Sequence, residues 1–191
     1  MLRINTFSSA AGAIDYFNVS LAGDYYSQDE TTIGVWGGKG SKRLGFEGGI
    51  EKKDFQGLIN NRDREGNHLR PRWTREGRSG FDFTWDVPKS VSILFELTEN
   101  PEILKAFEEA SSEVMEILER EAAVRVRKDG ANHDQTTGEL TWSRFIHHSS
   151  RPVDGISDPH LHAHFFVHNL SWTEEEQDFR ALQVGEIKSS A

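Results

Sequence analysis

The stretch that decides the fold is a histidine-rich run, Asp158-Pro159-His160-Leu161-His162-Ala163-His164-Phe165-Phe166-Val167-His168. Side chains on a β-strand alternate between its two faces. On such a strand the alternating imidazoles share one face, and the apolar residues between them share the other. Because an apolar face belongs against a core, the run predicts a strand with one buried face and one face that bears histidines.

Alternating histidines on one strand face can bind a metal ion. Neighbours on that face lie about 6.5–7 Å apart, and two imidazoles can reach one ion at bond lengths of about 2.0–2.1 Å. His147 or His148, on a predicted preceding strand, is the natural third ligand. Three neutral nitrogens and an open position would make a Lewis-acid site. The alternative is a row of surface histidines, as we expect for His68 and His133, whereas His168 is expected to be a hydrogen-bonded partner.

The rest of the chain predicts an α+β fold, with a central, mainly antiparallel sheet flanked by helices. Alternation and β-rich composition predict strands at 81–85, 90–97, 140–148, 160–172 and 179–184. Apolar spacing of three to four residues predicts helices at 14–19, at 54–60 and from 101 to about 126, the last ended by Lys128-Asp129-Gly130.

An acid and three tyrosines complete the candidate chemistry. Asp82 lies within a predicted strand among aromatic residues, which favours a carboxylate held partly out of water. It could orient a ligand histidine or accept a proton, and an exposed strand-face acid is the alternative. A tyrosine hydroxyl becomes a nucleophile once its proton is removed. Tyr16, Tyr25 and Tyr26 are candidates, with ordinary packing as the alternative.

Composition limits the function classes. The 191 residues suit one domain, and the absence of cysteine excludes disulfides and thiolate metal sites. A net charge of −9 argues against a sequence-blind DNA coat. Residues 36–80 nevertheless hold 11 Lys and Arg against 6 Asp and Glu. This basic strip could grip a phosphate backbone locally, or be a solvated loop region. No membrane-length apolar run or signal peptide is found, so we expect a cytoplasmic protein.

These motifs resemble the N-terminal relaxase domain of TrwC/TraI-type (MOB-F) conjugative relaxases, which belong to the HUH endonucleases. That class is named after a His-hydrophobic-His motif, here His162-Ala163-His164. The resemblance covers about residues 12–187, almost the whole chain. Besides the histidine run, the matching stretches are Gly38-Lys39-Gly40 with Leu44-Gly45, Asp82-Phe83-Thr84, Val87-Pro88-Lys89-Ser90-Val91-Ser92, Thr136-Thr137-Gly138-Glu139-Leu140, Phe145-Ile146-His147 and Ser150-Arg151.

The resemblance implies a site- and strand-specific single-stranded DNA endonuclease that nicks an origin of transfer through a 5′-phosphotyrosine. It implies Tyr16 as the nucleophile, Asp82 as the assisting acid, and Tyr25 and Tyr26 as a second tyrosine group. It also implies a divalent metal, Mg²⁺ or Mn²⁺ with Zn²⁺ or Ni²⁺ as alternatives. The implied metal ligands are His147, His162 and His164.

Further expectations concern partners and domain organisation. We expect a monomer that binds single-stranded DNA and an origin hairpin, works with relaxosome and type IV secretion proteins, and contacts no membrane. Residues 1–191 are expected to form a single relaxase domain, truncated at its C-terminal end. The residues expected to contact DNA are Lys39, Lys42, Arg43, Arg72, Trp73, Arg75 and Lys89.

The chain also departs from the family pattern. Tyr16-Phe17 replaces a tyrosine pair, so one hydroxyl remains there. His148 stands where a polar or acidic residue is expected and His160 where a glutamine is expected, and either could add to the metal ligands or compete with them. Two rival functions stay open. One is an inactive module that binds a DNA hairpin, and the other is a His-metal phosphoesterase that uses water as nucleophile.

Overall fold

The computed structural model describes residues 2–21, 34–128, 130–185 and 187. A π-helical turn, Phe17–Leu21, continues the first helix. In chain order the elements are β1 (Leu2–Phe7), α1 (Ala10–Tyr16), β2 (Val35–Gly37), α2 (Lys39–Arg43), α3 (Lys52–Ile59), β3 (Gly80–Asp86), α4 (Lys89–Thr98), α5 (Pro101–Glu119), β4 (Ala123–Lys128), β5 (Ala131–Thr136), β6 (Trp142–Ser149), β7 (Pro159–His168), β8 (Ser171–Thr173), β9 (Asp178–Arg180) and β10 (Leu182–Gln183).

A five-stranded sheet in the order β1-β3-β7-β6-β2 forms the centre of the protein. Every neighbouring pair in it is antiparallel. A three-stranded sheet, β10-β4-β5, and the β8-β9 pair lie outside it. The predicted α+β class with an antiparallel sheet is therefore confirmed. None of the described helices is both long enough and apolar enough to span a bilayer.

The two faces of the central sheet are buried against different helices. One face places Phe145 and Phe166 in a core with Phe55 of α3 and Ala13 of α1. The opposite face packs a second core against Met115 of α5, and the buried aromatic sheet residues of that core are Phe81, Phe83, Trp142 and Phe165. Because side chains alternate along a strand, the odd-numbered apolar residues of β7 face the second core. The histidines of β7 lie on the other face of the sheet, beside the first core.

Helix α1 begins at a well-formed N-cap. The side chain of Ser9 accepts a hydrogen bond from the backbone N–H of Gly12 at 3.1 Å, which satisfies a donor that the first helical turn leaves unpaired. Ala10 and Ala13 are buried on the sheet side. This packing directs Tyr16, at the end of α1, toward β3 and β7.

One predicted strand is wrong. Residues 90–97 belong to the helix α4 and not to a strand. The β-branched residues suggested a strand, but the buried positions Ser92 and Phe95 are three residues apart, which suits one helix face. Ser92 also accepts a hydrogen bond from the backbone N–H of Leu161 at 3.0 Å, which fixes α4 against β7. Tertiary packing therefore overrides the local β propensity.

The predicted long helix ends earlier than expected. Helix α5 stops at Glu119, and the chain then turns into β4 instead of continuing to about residue 126. Within β4, Val124 is buried between neighbours in β10 and β5. Gly130, with a φ of 81°, precedes β5 and suits a strand-to-strand turn and not a helix end. The spacing of apolar residues did not reveal the change from helix to strand, because a segment as short as β4 fits both the helical and the strand pattern.

Other boundaries differ by smaller amounts. Helix α1 begins at Ala10, earlier than the predicted 14–19, and the predicted strand 160–172 is two strands, β7 and β8, separated at Asn169. Strands β1, β2 and β5 were not predicted. Their exposed or short sequences lack a clear alternation, and they form because partners in the sheets supply backbone hydrogen bonds.

Candidate active site

Strand register brings the predicted metal ligands together. His147 on β6 lies directly opposite His162 on β7. His164 lies opposite Thr84 on β3. Residues opposite each other in an antiparallel pair point to the same face, so the three imidazoles project from one face of the sheet.

The three rings are close enough to share an ion. Their ring centres are 5.3 Å apart for His147 and His162, 5.5 Å for His147 and His164, and 5.0 Å for His162 and His164. Imidazoles bound tetrahedrally to one ion through bonds of about 2.0–2.1 Å have ring centres roughly 5 Å apart. Among the described residues, however, no group of three or more His, Cys, Asp or Glu side chains stands in a ready-formed metal cluster.

Hydrogen bonds assign the tautomers of two of these histidines. Nδ1 of His162 lies 2.7 Å from the backbone carbonyl of His160. Because a carbonyl only accepts, Nδ1 carries the proton and Nε2 keeps its lone pair. Nδ1 of His164 lies 2.9 Å from Oδ2 of Asp82, so Nδ1 carries the proton and Nε2 of His164 likewise keeps its lone pair. A carboxylate behind an imidazole is a common support for a metal ligand.

His147 provides the test of whether the residues fit a metal. It is 2% exposed, and within the described residues neither of its ring nitrogens has a hydrogen-bond partner. Burial, with smaller contributions from His162 and His164, lowers its pKa to about 3. A buried neutral imidazole with two unpaired nitrogens is costly unless something binds it. This observation fits a metal at the three histidines.

Tyr16 reaches the same site from α1. Its hydroxyl donates a hydrogen bond to Oδ2 of Asp82 at 2.7 Å and lies 2.9 Å from Nδ1 of His164. The rings of Tyr16 and His164 meet edge to face with centres 5.9 Å apart. A phenol, a carboxylate and a histidine predicted to bind metal thus form one continuous hydrogen-bonded group.

Asp82 is a buried acid and not an exposed strand-face residue, since only 1% of it is exposed. The hydroxyl of Thr84 donates a further hydrogen bond to its Oδ2 at 3.1 Å. With partners on three side chains, this carboxylate is held in one orientation. It can therefore accept the proton of Tyr16 without first rotating.

An open cleft of about 350 Å³ exposes this group to solvent. It lies over the histidine face of the sheet. Beyond the tyrosine, the acid and the three histidines, it is lined by Arg3, Asn5, Thr84, Ser149, Ser150, Arg151 and His160. Two arginines at the rim of a cleft with three imidazoles suit a phosphate-containing ligand.

The remaining histidines occupy other positions. His148 points away from the site and packs edge to face on Phe95 of α4, with ring centres 5.0 Å apart. Nε2 of His160 lies 3.0 Å from Oδ1 of Asp86. His168 is buried, with Nε2 3.2 Å from the hydroxyl of Ser143. His68 and His133 are exposed.

Three of the residues expected to contact DNA are already engaged by the protein. Arg43 forms ion pairs with Glu139 at 2.9 Å and with Glu174 at 2.7 Å. Nζ of Lys39 donates to the carbonyl of Gly138, and Nζ of Lys89 donates to that of Pro159. Their positive charges are therefore less available to DNA than the sequence suggested. The other four expected residues line clefts or lie exposed: Lys42, Arg72, Trp73 and Arg75.

An arginine-lined cleft of about 420 Å³ was missed in the sequence. Arg70 is 9% exposed, and its Nε has no hydrogen-bond partner among the described residues. Burial lowers its pKa to about 10. The other arginines that line the cleft are Arg72, Arg125, Arg127 and Arg180. The sequence indicated only Arg70 and Arg72, as part of the basic strip at 36–80. It did not indicate the cleft, because β4, which supplies Arg125 and Arg127, was predicted to be helical.

Tyr25 and Tyr26, the predicted second tyrosine group, lie outside the described residues. Their role stays a prediction.

Comparisons with known proteins point to one family. Residues 10–191 match the family described as TrwC relaxase. The chain is 29% identical over 174 residues to the multifunctional conjugation protein TraI of Escherichia coli, covering 87% of this chain and 10% of that protein. The chain thus spans about a tenth of the length of this curated relative.

Solved structures give the same result. A metal-bound structure of the conjugative relaxase TrwC in complex with oriT DNA matches with a TM-score of 0.83 and 30% identity, over 100% of this chain and 64% of that one. A copper-bound structure of TrwC with oriT DNA matches with a TM-score of 0.83 and 31% identity, with the same coverage. Together with the phenol, carboxylate and histidine geometry, these matches show that the chain belongs to the TrwC relaxase family.

Proposed function

We propose that this chain nicks single-stranded DNA at an origin of transfer, using Tyr16 as nucleophile, and remains attached to the DNA as a 5′-phosphotyrosine. The observation that supports this most directly is the position of the Tyr16 hydroxyl, 2.7 Å from Asp82 and next to His164. TrwC, which shares the fold, has been solved with oriT DNA. A water-dependent hydrolase would have no use for a phenol held there.

A divalent ion is proposed at His147, His162 and His164. Imidazole ligands suit several ions, so Mg²⁺ or Mn²⁺ is proposed from family resemblance, with Zn²⁺ or Ni²⁺ as alternatives. When bound, such an ion supplies Lewis-acid stabilisation of the charge that develops on the phosphate. The protein contributes three neutral imidazoles, two of which are oriented by hydrogen bonds to Nδ1.

The nicking step exchanges one phosphodiester bond for another. The Tyr16 hydroxyl gives its proton to Asp82 as its oxygen bonds to phosphorus. The bond from phosphorus to the 3′ oxygen of the preceding nucleotide breaks, and that oxygen takes up a proton from water, to which Asp82 then returns the proton it accepted. The products are a tyrosine phosphodiester and a free 3′-hydroxyl. Because a phosphodiester is retained, the reverse step can rejoin the strand. General acid–base assistance of this kind contributes about 10²–10⁴-fold to a rate.

Contact with the DNA backbone is proposed at two places. One is the active-site cleft, where Arg151 and Arg3, the latter also paired with Asp86, would face the phosphates around the nicked position. The arginine-lined cleft around Arg70 would bind phosphates outside the nicked position, since an unpaired buried guanidinium favours a bound anion. Trp73, which is partly buried beside Arg75, could stack a base. Local basic clefts of this kind allow binding despite a net charge of −9.

The finer biological setting is proposed from family resemblance. We propose that the protein recognises an origin hairpin, acts as a monomer in the cytoplasm and works with relaxosome and type IV secretion proteins.

The test uses a labelled single-stranded oligonucleotide from the cognate origin of transfer, Mn²⁺ and a denaturing gel. We expect the wild-type chain to form a covalent adduct and Tyr16→Phe to form none. The double variant Tyr25→Phe/Tyr26→Phe is the matched control and should retain the first cleavage. Cleavage that survives Tyr16→Phe without an adduct would favour the phosphoesterase instead. Tight binding with no cleavage by the wild type would favour the inactive hairpin-binding module.

A further inference from the structure

The His160 side chain contacts Asp86 and the ring of His162, and both contacts differ from those expected of a metal ligand. Its Nε2 lies 3.0 Å from Oδ1 of Asp86, so this nitrogen is directed at a carboxylate and away from the cluster. Asp86 is in turn held by Arg3, whose Nη2 lies 3.0 Å from Oδ1 and 3.1 Å from Oδ2. Only 15% of the Asp86 side chain is exposed, compared with 55% for Arg3. The carboxylate therefore joins an exposed arginine to the His160 ring.

The His160 ring lies flat on that of His162. The two ring centres are 4.4 Å apart and the planes differ by 16°. The backbone carbonyl of His160 also accepts a hydrogen bond from Nδ1 of His162 at 2.7 Å. The same residue thus contacts His162 in two ways, through its side chain against the ring face and through its main chain at one ring nitrogen.

We infer that His160 is a positioning residue for His162, held by Asp86 and Arg3, and does not bind the metal itself. The stacked His160 side chain fixes the plane of His162. The main-chain carbonyl, which every substitution at position 160 retains, fixes the tautomer so that Nε2 keeps its lone pair. This arrangement does for His162 what Asp82 does for His164. Groups that orient a metal ligand from behind typically change metal affinity about 10- to 100-fold when removed.

The inference rests on the proposed metal at the three histidines, so its test separates the two. Mn²⁺ affinity of the metal-free protein is measured by calorimetry without DNA. His162→Ala, which removes a proposed ligand, should abolish Mn²⁺ binding. If the wild-type chain bound no Mn²⁺ or Co²⁺ at all, the metal proposal itself would fail. The NMR comparison below, made without metal, would still test whether His160 positions His162.

His160→Ala should weaken Mn²⁺ binding by about 10- to 100-fold without abolishing it. Asp86→Ala should weaken it in the same direction, and the double variant should be no worse than the poorer single one, because both changes act on one ring. If the losses of Mn²⁺ affinity in the two single variants added up in the double variant, Asp86 would not act on His162 through His160. The gentler His160→Gln keeps an N–H donor toward Asp86 but loses the ring, and it should weaken binding as well.

A second readout needs no metal and no activity. In NMR spectra of the metal-free protein, the Nδ1 proton of His162 should be protected from exchange with water by the stacked ring. In His160→Ala that signal should be lost to exchange, while the Nδ1 proton of His164, held by Asp82, should stay visible as an internal reference. An unchanged His162 signal together with Mn²⁺ affinity within twofold of wild type would overturn the inference. Complete loss of binding in His160→Gln, as expected of a removed ligand, would also overturn it.

Discussion

The hydroxyl of Tyr16 donates a hydrogen bond to Oδ2 of Asp82 at 2.7 Å, although 66 residues separate them in the chain. This bond joins the end of α1 to the middle of β3. The acid is buried and is shared with His164. The nucleophile, the proton acceptor and a proposed metal ligand are therefore coupled, so that a change in any one should be felt by the others.

Asp82→Asn should slow adduct formation by about 10²–10⁴-fold. The amide can still contact the Tyr16 hydroxyl, but it is far less able to take its proton. The measurement is the single-turnover rate of adduct formation at saturating Mn²⁺ and oligonucleotide. Thr84→Val is the matched control, because it removes a hydrogen bond to the same carboxylate and leaves the acid; it should cost less than tenfold. An Asp82→Asn rate within tenfold of wild type would contradict the role of Asp82 as proton acceptor.

His147→Leu should make the metal-free protein more stable, and Mn²⁺ should no longer stabilise the variant. The imidazole is buried with both nitrogens unpaired within the described residues, and an unsatisfied buried polar group costs about 1–3 kcal/mol. We expect the free energy of unfolding to rise by a similar amount at neutral pH. The rise in melting temperature that we expect Mn²⁺ to cause in the wild type should disappear, because binding to the native state is lost.

His168→Leu is the control for that prediction. His168 is also buried, and its Nδ1 has no partner among the described residues, but its Nε2 contacts the hydroxyl of Ser143. The substitution therefore breaks an existing hydrogen bond and leaves that hydroxyl unpaired. We expect a loss of about 1–3 kcal/mol in unfolding free energy with the Mn²⁺ effect intact. If His147→Leu destabilised the metal-free protein as we expect His168→Leu to do, the proposal that His147 is a metal ligand would be wrong.

Glu119 should make stability depend on pH. Burial raises the pKa of the Glu119 carboxyl. The backbone N–H groups of Leu140 and Lys39 favour its charged form and offset part of this rise. A raised folded-state pKa means that the native state holds this proton more tightly than the unfolded chain does. The contribution of this bound proton to the free energy of unfolding is complete below the ordinary pKa of 4.5. It is lost as the pH rises through the raised pKa of the folded state. Glu119→Gln should therefore gain stability relative to wild type as the pH rises above 4.5.

The partner variant Glu119→Ala tests the hydrogen bonds separately. Both backbone donors reach Oε1 of Glu119 at 2.8 Å, and a glutamine oxygen can still accept both. Alanine leaves two donors unpaired, so we expect a loss of about 2–4 kcal/mol at all pH values. Urea unfolding between pH 4 and 8 measures both variants. A Glu119→Gln difference that did not change with pH would count against the raised pKa.

Arg70→Met should weaken DNA binding while stabilising the free protein. The guanidinium is almost buried and its Nε has no partner among the described residues, whereas a methionine fills the space without a desolvated charge. We expect the slope of log affinity against log salt to fall by about 0.7–0.9, the value for one lost phosphate contact. Fluorescence anisotropy with the origin oligonucleotide at several salt concentrations measures it.

Lys105→Met is the matched control, since it removes an exposed charge on α5 that does not line the arginine cleft. Its salt slope should equal that of wild type. The single-turnover nicking rate at saturating DNA should be unchanged in both variants. Equal salt slopes for Arg70→Met and wild type would remove this cleft from the proposed DNA contacts.

Much of the site could be predicted from local pattern. The alternation of His160, His162 and His164 with apolar residues predicted which face of β7 bears the imidazoles, because side-chain direction on a strand depends only on odd or even position. The burial of Asp82 followed from the aromatic residues beside it. The helix α4 was predicted as a strand, since β-branched residues favour a strand locally and only contacts with β7 and a distant core decide for a helix.

The arginine cleft shows a different limit. Arg70 and Arg180 are far apart in sequence, and β4, which supplies Arg125 and Arg127, was expected to be helical. The sequence also suggested charges that the structure shows to be engaged. Acceptors within the protein lie beside the side chains of Lys39, Arg43 and Lys89, which had each appeared available to DNA. A charge in a sequence says nothing of its partners when those partners lie a hundred residues away.

The amino-acid sequence alone determined that this protein has an antiparallel sheet with a histidine-bearing strand, and the family motifs in their order indicated which tyrosine and which acid to examine. Only the tertiary structure decided that Tyr16 contacts Asp82, that His147 is left without a hydrogen-bond partner among the described residues, and that His160 is turned toward Asp86. The reason is physical: the direction of a side chain along one strand is a local property of the backbone. Its hydrogen-bond partner depends on strand register and helix packing, which bring together residues that are distant in the chain.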